Sequence, residues 1–494
     1  MDLKIKKLEK RWSIVYNEAS SMQKFALEKL GALMSEFVSY PLRFILEKDL
    51  TKEILESDNI AIIGTPENSE TVKKLVESGA IDVPDDDEGY FIKYGNSPLC
   101  ESSWALICAG KTEKGVMFGV VDLINEYFSD TMCTTKRSAM TDPGFFGVGF
   151  VEQTPEFEKK SVPAIKQRAV WTWGHCIYDY RRFFENMILM RLNSIVIWTD
   201  FVPVNAKEMV DYAHSLGISV FWGFSWAWDN KALDFDVTSD ESLEIWTKKI
   251  VCRYENEFLP TGADGIYFQS FTETKNDSIG GAIIAELVTK WVNHISAKLF
   301  EKYPNLQLQF GLHATSVKNK LEYIAKVDTR IRIVWEDCGS FPYHYDPKNT
   351  ADFENTLEFT DNILTLRGEN DKFGAVLKGM PTLCWSTFEH QRGAYMIGEQ
   401  SREFVEKRAA KKRRMWKYIQ AYWLENADKV QKTVELMADR SHGEAFVQML
   451  IEDGMLEDRI MFPSALCALM MWEPKTNKDV LIRKAAASRV VYFA

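Results

Sequence analysis

At 494 residues, with 46% hydrophobic and 27% charged side chains, the chain is too long for one core and too apolar to be disordered, so two or three folded domains are expected. A formal net charge of −11 argues against binding along nucleic acid or to an anionic membrane, since both need a basic face. The eight cysteines are scattered without a CxxC pair or zinc-ligand spacing, which points away from a disulfide framework and a structural metal.

The first residues carry charge and no apolar signal core, and no run of 18 uncharged apolar residues follows, so a cytoplasmic protein is expected. Residues 1–130 read as a small α/β domain. Its helices are expected at 22–37, 67–78 and 115–128, and its strands at 60–64, 90–94 and 104–108. Asp82 with Asp85, Asp86, Asp87 and Glu88 lacks the alternate spacing of a calcium loop and reads as an acidic turn. Residues 131–163 read as linker. Gly144, Gly147 and Gly149 lie there outside any strand–helix junction, so they make no dinucleotide fingerprint. Neither a metal nor a cofactor is expected.

From residue 164 short apolar strands alternate with amphipathic helices. Strands are expected at 169–173, 194–198, 219–224, 265–269, 306–312, 331–335, 373–377 and 382–385. Helices fit at 179–191, 206–216, 243–258, 279–299, 317–325 and 353–366. Eight strands in roughly this length predict a (β/α)8 TIM barrel over 164–397. Residues 398–494 read as a helical C-terminal domain. Its apolar run 462–472 suits a buried surface and suggests a homodimer. The dense basic cluster Lys407, Arg408, Lys411, Lys412, Arg413 and Arg414 sits on a helix near Glu403 and Glu406, and its ordinary reading is a solvated face.

In such a barrel the residues just past the strand C-termini line the site. Strands one to three offer Trp171, Trp173 and His175, then Trp198 and Asp200, then Trp222, Trp226, Trp228 and Asp229. Strand four leads to Glu273, strand five to His313, and strand six to Trp335, Glu336 and Asp337. Strand seven leads to Lys378, and strand eight to Trp385, Glu389 and His390. Any one tryptophan is usually core; together with acids at one mouth they suit sugar rings, whose C–H faces pack on aromatic faces while their hydroxyls bond to acids and amides. Hydrolysis of a glycoside needs a protonated carboxylic acid beside the leaving oxygen and a second carboxylate. Glu273, following an apolar strand in an aromatic setting expected to raise its pKa, is the candidate acid; Glu336 and Asp337 compete for the second role, against the alternative of a helix cap or salt bridge. Trp173, His175, Trp198, Asp200, Trp226, Trp228, His313, Trp335, Lys378, Trp385 and Glu389 are the candidate substrate-binding residues. No GxSxG elbow surrounds Ser225 or Ser270.

The order of small α/β domain, barrel and helical tail resembles the family 67 α-glucuronidases, and more loosely the family 20 and family 84 hexosaminidases. The likeness rests on Leu192-Asn-Ser-Ile-Val-Ile-Trp198, Leu216-Gly-Ile-Ser-Val-Phe221 and the segment from Asp264-Gly265 to Glu273. It implies that Glu273 is the general acid and that the base falls on Asp337 or Glu336. The second carboxylate of family 67 after strand seven has no counterpart in Gly374-Ala-Val-Leu-Lys-Gly379; Glu389 is the substitute. The hexosaminidases carry two adjacent acids after strand four for substrate-assisted catalysis, and here Thr272 precedes Glu273. The resemblance thus implies a glycoside hydrolase that cleaves a terminal sugar from a small oligosaccharide or glycoside. An α-glucuronidase-like specificity is expected, with Lys378, Arg181 and Arg392 available to a uronate. The alternatives are a β-N-acetylhexosaminidase-like enzyme and a non-catalytic carbohydrate-binding barrel.

Overall fold

The computed structural model describes residues 10–17, 20–36, 38, 40–127, 156–227, 235–313, 316–336, 353–368, 371–378, 393–451 and 456–492. The chain forms two compact units: residues 1–163 with 483–490, and residues 164–482 with 491–494. Among the described residues no helix is long and apolar enough to cross a membrane.

The first unit contains β1 (Arg11–Tyr16), α1 (Ser21–Ser35), β2 (Arg43–Leu46), α2 (Lys52–Ser57), β3 (Asp58–Gly64) and α3 (Glu70–Glu77). It continues with β4 (Tyr90–Asn96), β5 (Trp104–Gly110), α4 (Glu113–Asp122) and β6 (Phe157–Ser161). They build a six-stranded mixed sheet in the order β2-β1-β3-β5-β4-β6, parallel through β5 and antiparallel at β4 and β6. Ser20, Thr51, Ser69 and Thr112 cap the N-termini of α1 to α4 through their side-chain oxygens, each supplying an acceptor that the first helical turn lacks. One segment expected to be linker is therefore a strand. β6 alternates Phe157, Lys159 and Ser161 with more exposed Glu158 and Lys160, and Lys159 reaches buried Asp122 at 2.8 Å and Glu126 at 3.2 Å.

The second unit is a closed barrel of eight parallel strands. In chain order these are β7 (Gln167–Trp173), β8 (Ser194–Trp198), β9 (Ser219–Ser225) and β10 (Gly265–Gln269), then, after the hairpin β11 (Ser278–Ile279) and β12 (Ala282–Ile283), β13 (Gln307–Leu312), β14 (Arg332–Trp335), β15 (Phe373–Leu377) and β16 (Phe446–Leu450). Between them lie α5 (Tyr180–Leu189), α6 (Ala206–Ser215), α7 (Asp240–Arg253), α8 (Ile284–Lys302), α9 (Leu321–Ile324), α10 (Phe353–Leu364) and α11 (Arg402–Arg440). β17 (Ile460–Met461), α12 (Phe462–Trp472), α13 (Lys478–Ala487) and β18 (Val491–Tyr492) complete the chain.

The (β/α)8 fold and seven of the strands follow the sequence pattern; the eighth does not. Segment 382–385 lies outside the described residues, and the strand that closes the barrel is β16, pairing with β15 and β7. The barrel thus runs well past residue 397, and the region expected to be a separate helical domain holds its last helix and strand. The long α11, 39 residues with a break at Asn426 (φ −119°, ψ 15°), hid this connection. Asn426 Nδ2 donates to the Tyr422 carbonyl at 3.0 Å, a side-chain intrusion of the kind that bends helices. The apolar 462–472 run is buried within this unit as α12.

Strand alternation decides what faces the barrel interior. Ala169, Trp171 and Trp173 of β7, Val196 and Trp198 of β8, Phe221 of β9, Tyr267 of β10, Val334 of β14, Val376 of β15, and Phe446 and Leu450 of β16 form one buried cluster. The same parity turns Gln269, Gly311, His313, Glu336 and Lys378 inward at the C-terminal ends of their strands.

Candidate active site

The site centres on Glu336, the first residue past β14, which is 3% exposed. Trp335 before it faces outward, where it packs on Phe359 of α10, so strand parity alone sends Glu336 into the barrel. Its Oε1 accepts from the Tyr267 hydroxyl and from Gln269 Nε2 at 2.5 Å. Its Oε2 accepts from Gln269 Nε2 at 2.7 Å and lies 2.7 Å from His313 Nε2. An ionised carboxylate only accepts, so that imidazole nitrogen is the donor. Burial alone would push the Glu336 pKa up. The charge and hydrogen bond of His313, the charge of Lys378 and the Tyr267 hydroxyl outweigh it and hold the carboxyl below its ordinary value. Glu336 is therefore an anion at neutral pH, and its acceptor positions are filled by protein donors.

Gly311 explains how the carboxylate fits. A Cβ at this position of β13 would collide with Glu336 Oε1 and with the Tyr267 hydroxyl. The missing side chain is the notch in which both sit.

Glu273 comes from the tight turn after β10, where Thr272 N–H bonds to Ser270 O at 2.7 Å and Thr274 N–H to Thr272 O at 2.8 Å. Ser316 braces this turn by donating to the Thr272 carbonyl at 2.7 Å. The Glu273 side chain is 53% exposed, and its Oε2 is 3.8 Å from the same His313 nitrogen that bonds to Glu336. The burial expected at Glu273 is thus found at Glu336, and His313 stands between the two acids.

The other expected residues divide by strand parity. Trp173 and Trp198 are buried in the inner cluster, where Trp171 stacks on Trp198 at 6.2 Å and meets Trp173 edge-on at 4.8 Å. Trp226 stacks on outward Phe268 at 3.6 Å and Trp335 packs on Phe359, so neither lies on the inner face. His175 lies half-buried in a single turn after β7, and Asp200 half-buried after β8. Lys378 is buried and inward past β15, close enough for its charge to act on Glu336. Arg181 is on the surface, paired with Glu208 at 2.7 Å and Glu399 at 3.2 Å. Trp228, Asp337, Trp385 and Glu389, with Asp229, His390 and Arg392, lie outside the described residues.

No protein-family profile and no curated protein matches the sequence. Among solved structures, a mutant Streptomyces plicatus beta-hexosaminidase in complex with its product GlcNAc matches 99% of this chain and 93% of its own, with a TM-score of 0.51 and 11% identity. The chain shares that protein's fold. At such identity the likeness is one of fold alone. A second mutant of the same hexosaminidase matches 98% of this chain and 92% of its own (TM-score 0.49, 11% identity), and CpGH84D matches 98% and 91% (TM-score 0.44, 13% identity).

Two site residues, and a third residue at the ends of β7 and β8, escape the strand-end reading. Tyr267 and Gln269 lie inside β10 rather than past it; the signal was available, because they share the inward parity of the strand that leads to Glu273. Tyr395 comes from the segment before α11 and approaches the ends of β7 and β8. Its hydroxyl is 3.3 Å from Thr199 Oγ1 and occupies the space a Cβ at Gly174 would need. Burial pushes its phenol well above the ordinary value. No local pattern marks it.

Proposed function

We propose that the barrel is the catalytic unit of a glycoside hydrolase that releases a terminal sugar, with Glu273 as proton donor and Glu336 as a fixed anion. The observation that supports this is the pair of carboxylates past β10 and β14, both in contact with His313 Nε2. Their Oε2 atoms lie 3.8 and 2.7 Å from that nitrogen and so are at most about 6.5 Å apart. Glu273, half-exposed, is accessible to a leaving-group oxygen; buried Glu336 opposes the positive charge that grows at the anomeric carbon.

Glu336 has no acceptor position left for attack, so the nucleophile is expected from the substrate. A 2-acetamido group provides one: its carbonyl oxygen bonds to the anomeric carbon as the glycosidic bond breaks, and the leaving oxygen takes the Glu273 proton. Fold likeness to a beta-hexosaminidase is in keeping with an N-acetylhexosaminide, while Thr272 stands where the hexosaminidases carry the first of their two adjacent acids. A uronate finds less support, since Arg181 is engaged by Glu208 and Glu399 and the charge of Lys378 is directed at Glu336.

Aryl glycosides test this. Aryl N-acetylhexosaminides should release phenol with retained configuration at the first-formed anomer, and glucuronides should not. Turnover of the glucuronide alone would overturn the specificity, and turnover of no glycoside would overturn the hydrolase.

A further inference from the structure

Helix α11 carries seven cations and no acid between residues 407 and 417, in a protein of net charge −11. Lys407 is paired with Glu403 at 2.5 Å, but among the described residues no carboxylate pairs with Lys411, Arg413, Arg414 or Lys417. Buried Val405, Ala409, Trp416, Ile419 and Trp423 anchor the opposite face. On the outer face Phe404, Lys411, Met415 and Tyr418 succeed one another at helical spacing, and Phe404, Met415 and Tyr418 are 41, 43 and 51% exposed. Tyr422 continues the line, 5.0 Å from the Tyr418 ring. From Phe404 to Tyr418 the stripe is about 21 Å long and one helix, roughly 10 Å, wide.

The stripe starts at the mouth. Phe404 meets Tyr178 edge-on at 5.3 Å, and Arg408 lies over the same ring at 5.9 Å; Tyr178 belongs to the connection that follows β7, at the end of the barrel where Glu336 sits. We propose that α11 holds an anionic polysaccharide, one bearing carboxylate or sulfate groups, whose end enters the barrel. This rests on the glycoside-hydrolase reading. Lys411 within the stripe and Lys407, Arg408 and Arg414 beside it match such a chain, because charges meet its acidic groups while the exposed rings pack on sugar C–H faces. A duplex nucleic acid or a lipid plane is wider than the stripe and would press its own negative charge against the acidic remainder of the surface.

The test is binding of the full-length protein to chondroitin sulfate and to dermatan sulfate, both of which contain N-acetylgalactosamine. Controls are neutral dextran, duplex DNA and phosphatidylserine vesicles, and the variant is K407E/K411E/R414E. The wild type should bind the anionic glycans and not dextran, and the variant should lose at least ~10-fold in affinity, as expected for three lost charge contacts. Both should turn over a small aryl glycoside equally, which also shows that the variant folds. Equal binding by variant and wild type, no binding by either, or tighter binding to DNA or vesicles would overturn the proposal. Aryl glycoside turnover without glycan binding would leave the hydrolase standing and remove the stripe; glycan binding without turnover of any glycoside would do the reverse.

Discussion

Gly311, Tyr267, Gln269 and His313 matter because each holds one buried anion in place. Removing the Tyr267 hydroxyl leaves Oε1 of a buried carboxylate short of a donor, and Tyr267→Phe is expected to cost about 1.5–3 kcal/mol of stability in a denaturant melt, the usual value of a hydrogen bond to a charged group. Gly311→Ala should be worse for activity than for folding, because its methyl group takes the space of the Glu336 carboxylate itself. Glu336 also sets a pH dependence. Its folded pKa lies below the ordinary value of 4.5, so its contribution is present above that value and lost as pH falls through and below it. Thermal melts should show the wild type losing stability relative to Glu336→Gln on acidification below about pH 4.5. A wild-type advantage that does not change with pH would contradict the assigned charge state.

At the scale of elements, the connections after β16 and β7 are tied by a second buried acid of opposite behaviour. Glu457, fully buried, accepts from the Tyr178 N–H at 2.7 Å, and Arg182 donates to the neighbouring Asp458 carbonyl at 3.0 Å. Burial pushes the Glu457 pKa up to about 8, the backbone hydrogen bonds and nearby Asp179 adding smaller effects of both signs. For an acid with a raised folded pKa, stability is fully present below the ordinary value near 4.5 and declines as pH rises towards about 8. Glu457→Gln should therefore gain in melting temperature relative to wild type between pH 5 and pH 8. The elements themselves were legible where local periodicity dominates: β8, β10 and β15 coincide with the apolar runs read from sequence, and α5, α6 and α10 with the amphipathic ones. β16 was not legible, because its inward polar Gln448, bonded to Gln309 at 3.1 Å, interrupts the apolar pattern and α11 separates it from β15. Likewise β6 is an edge strand with a polar centre, Glu158-Lys159-Lys160, whose partner β4 lies far back in the chain; only pairing across that distance reveals it. Glu273, His313 and Glu336 were readable as residues past strands, and the structure brings the two carboxylates to the His313 imidazole. Trp335 differs from Trp173 and Trp198 in strand parity, which its place beside inward Glu336 already fixes; Trp226 lies past the end of β9, where alternation no longer guides the reading.

For the whole molecule, the barrel closes only through β16, so a chain ending at residue 397 lacks a strand and leaves two unpaired edges at β15 and β7. It should fail to show the cooperative thermal unfolding of the full chain by circular dichroism. The same closure brings the last barrel helix, α11, with its basic outer face, to the mouth that holds Glu336, so that one unit contains both the proposed reaction centre and the proposed track for an acidic glycan. In the proposed reaction Glu273 protonates the leaving oxygen. This step is tested most directly by comparing Glu273→Gln with wild type on two glycosides of one sugar, one with a poor leaving group and one with dinitrophenol, which departs without a proton. Loss of the acid should lower kcat/KM at least ~100-fold for the first and leave the second nearly unchanged. An equal loss on both, or full activity on the poor leaving group, would contradict the assignment.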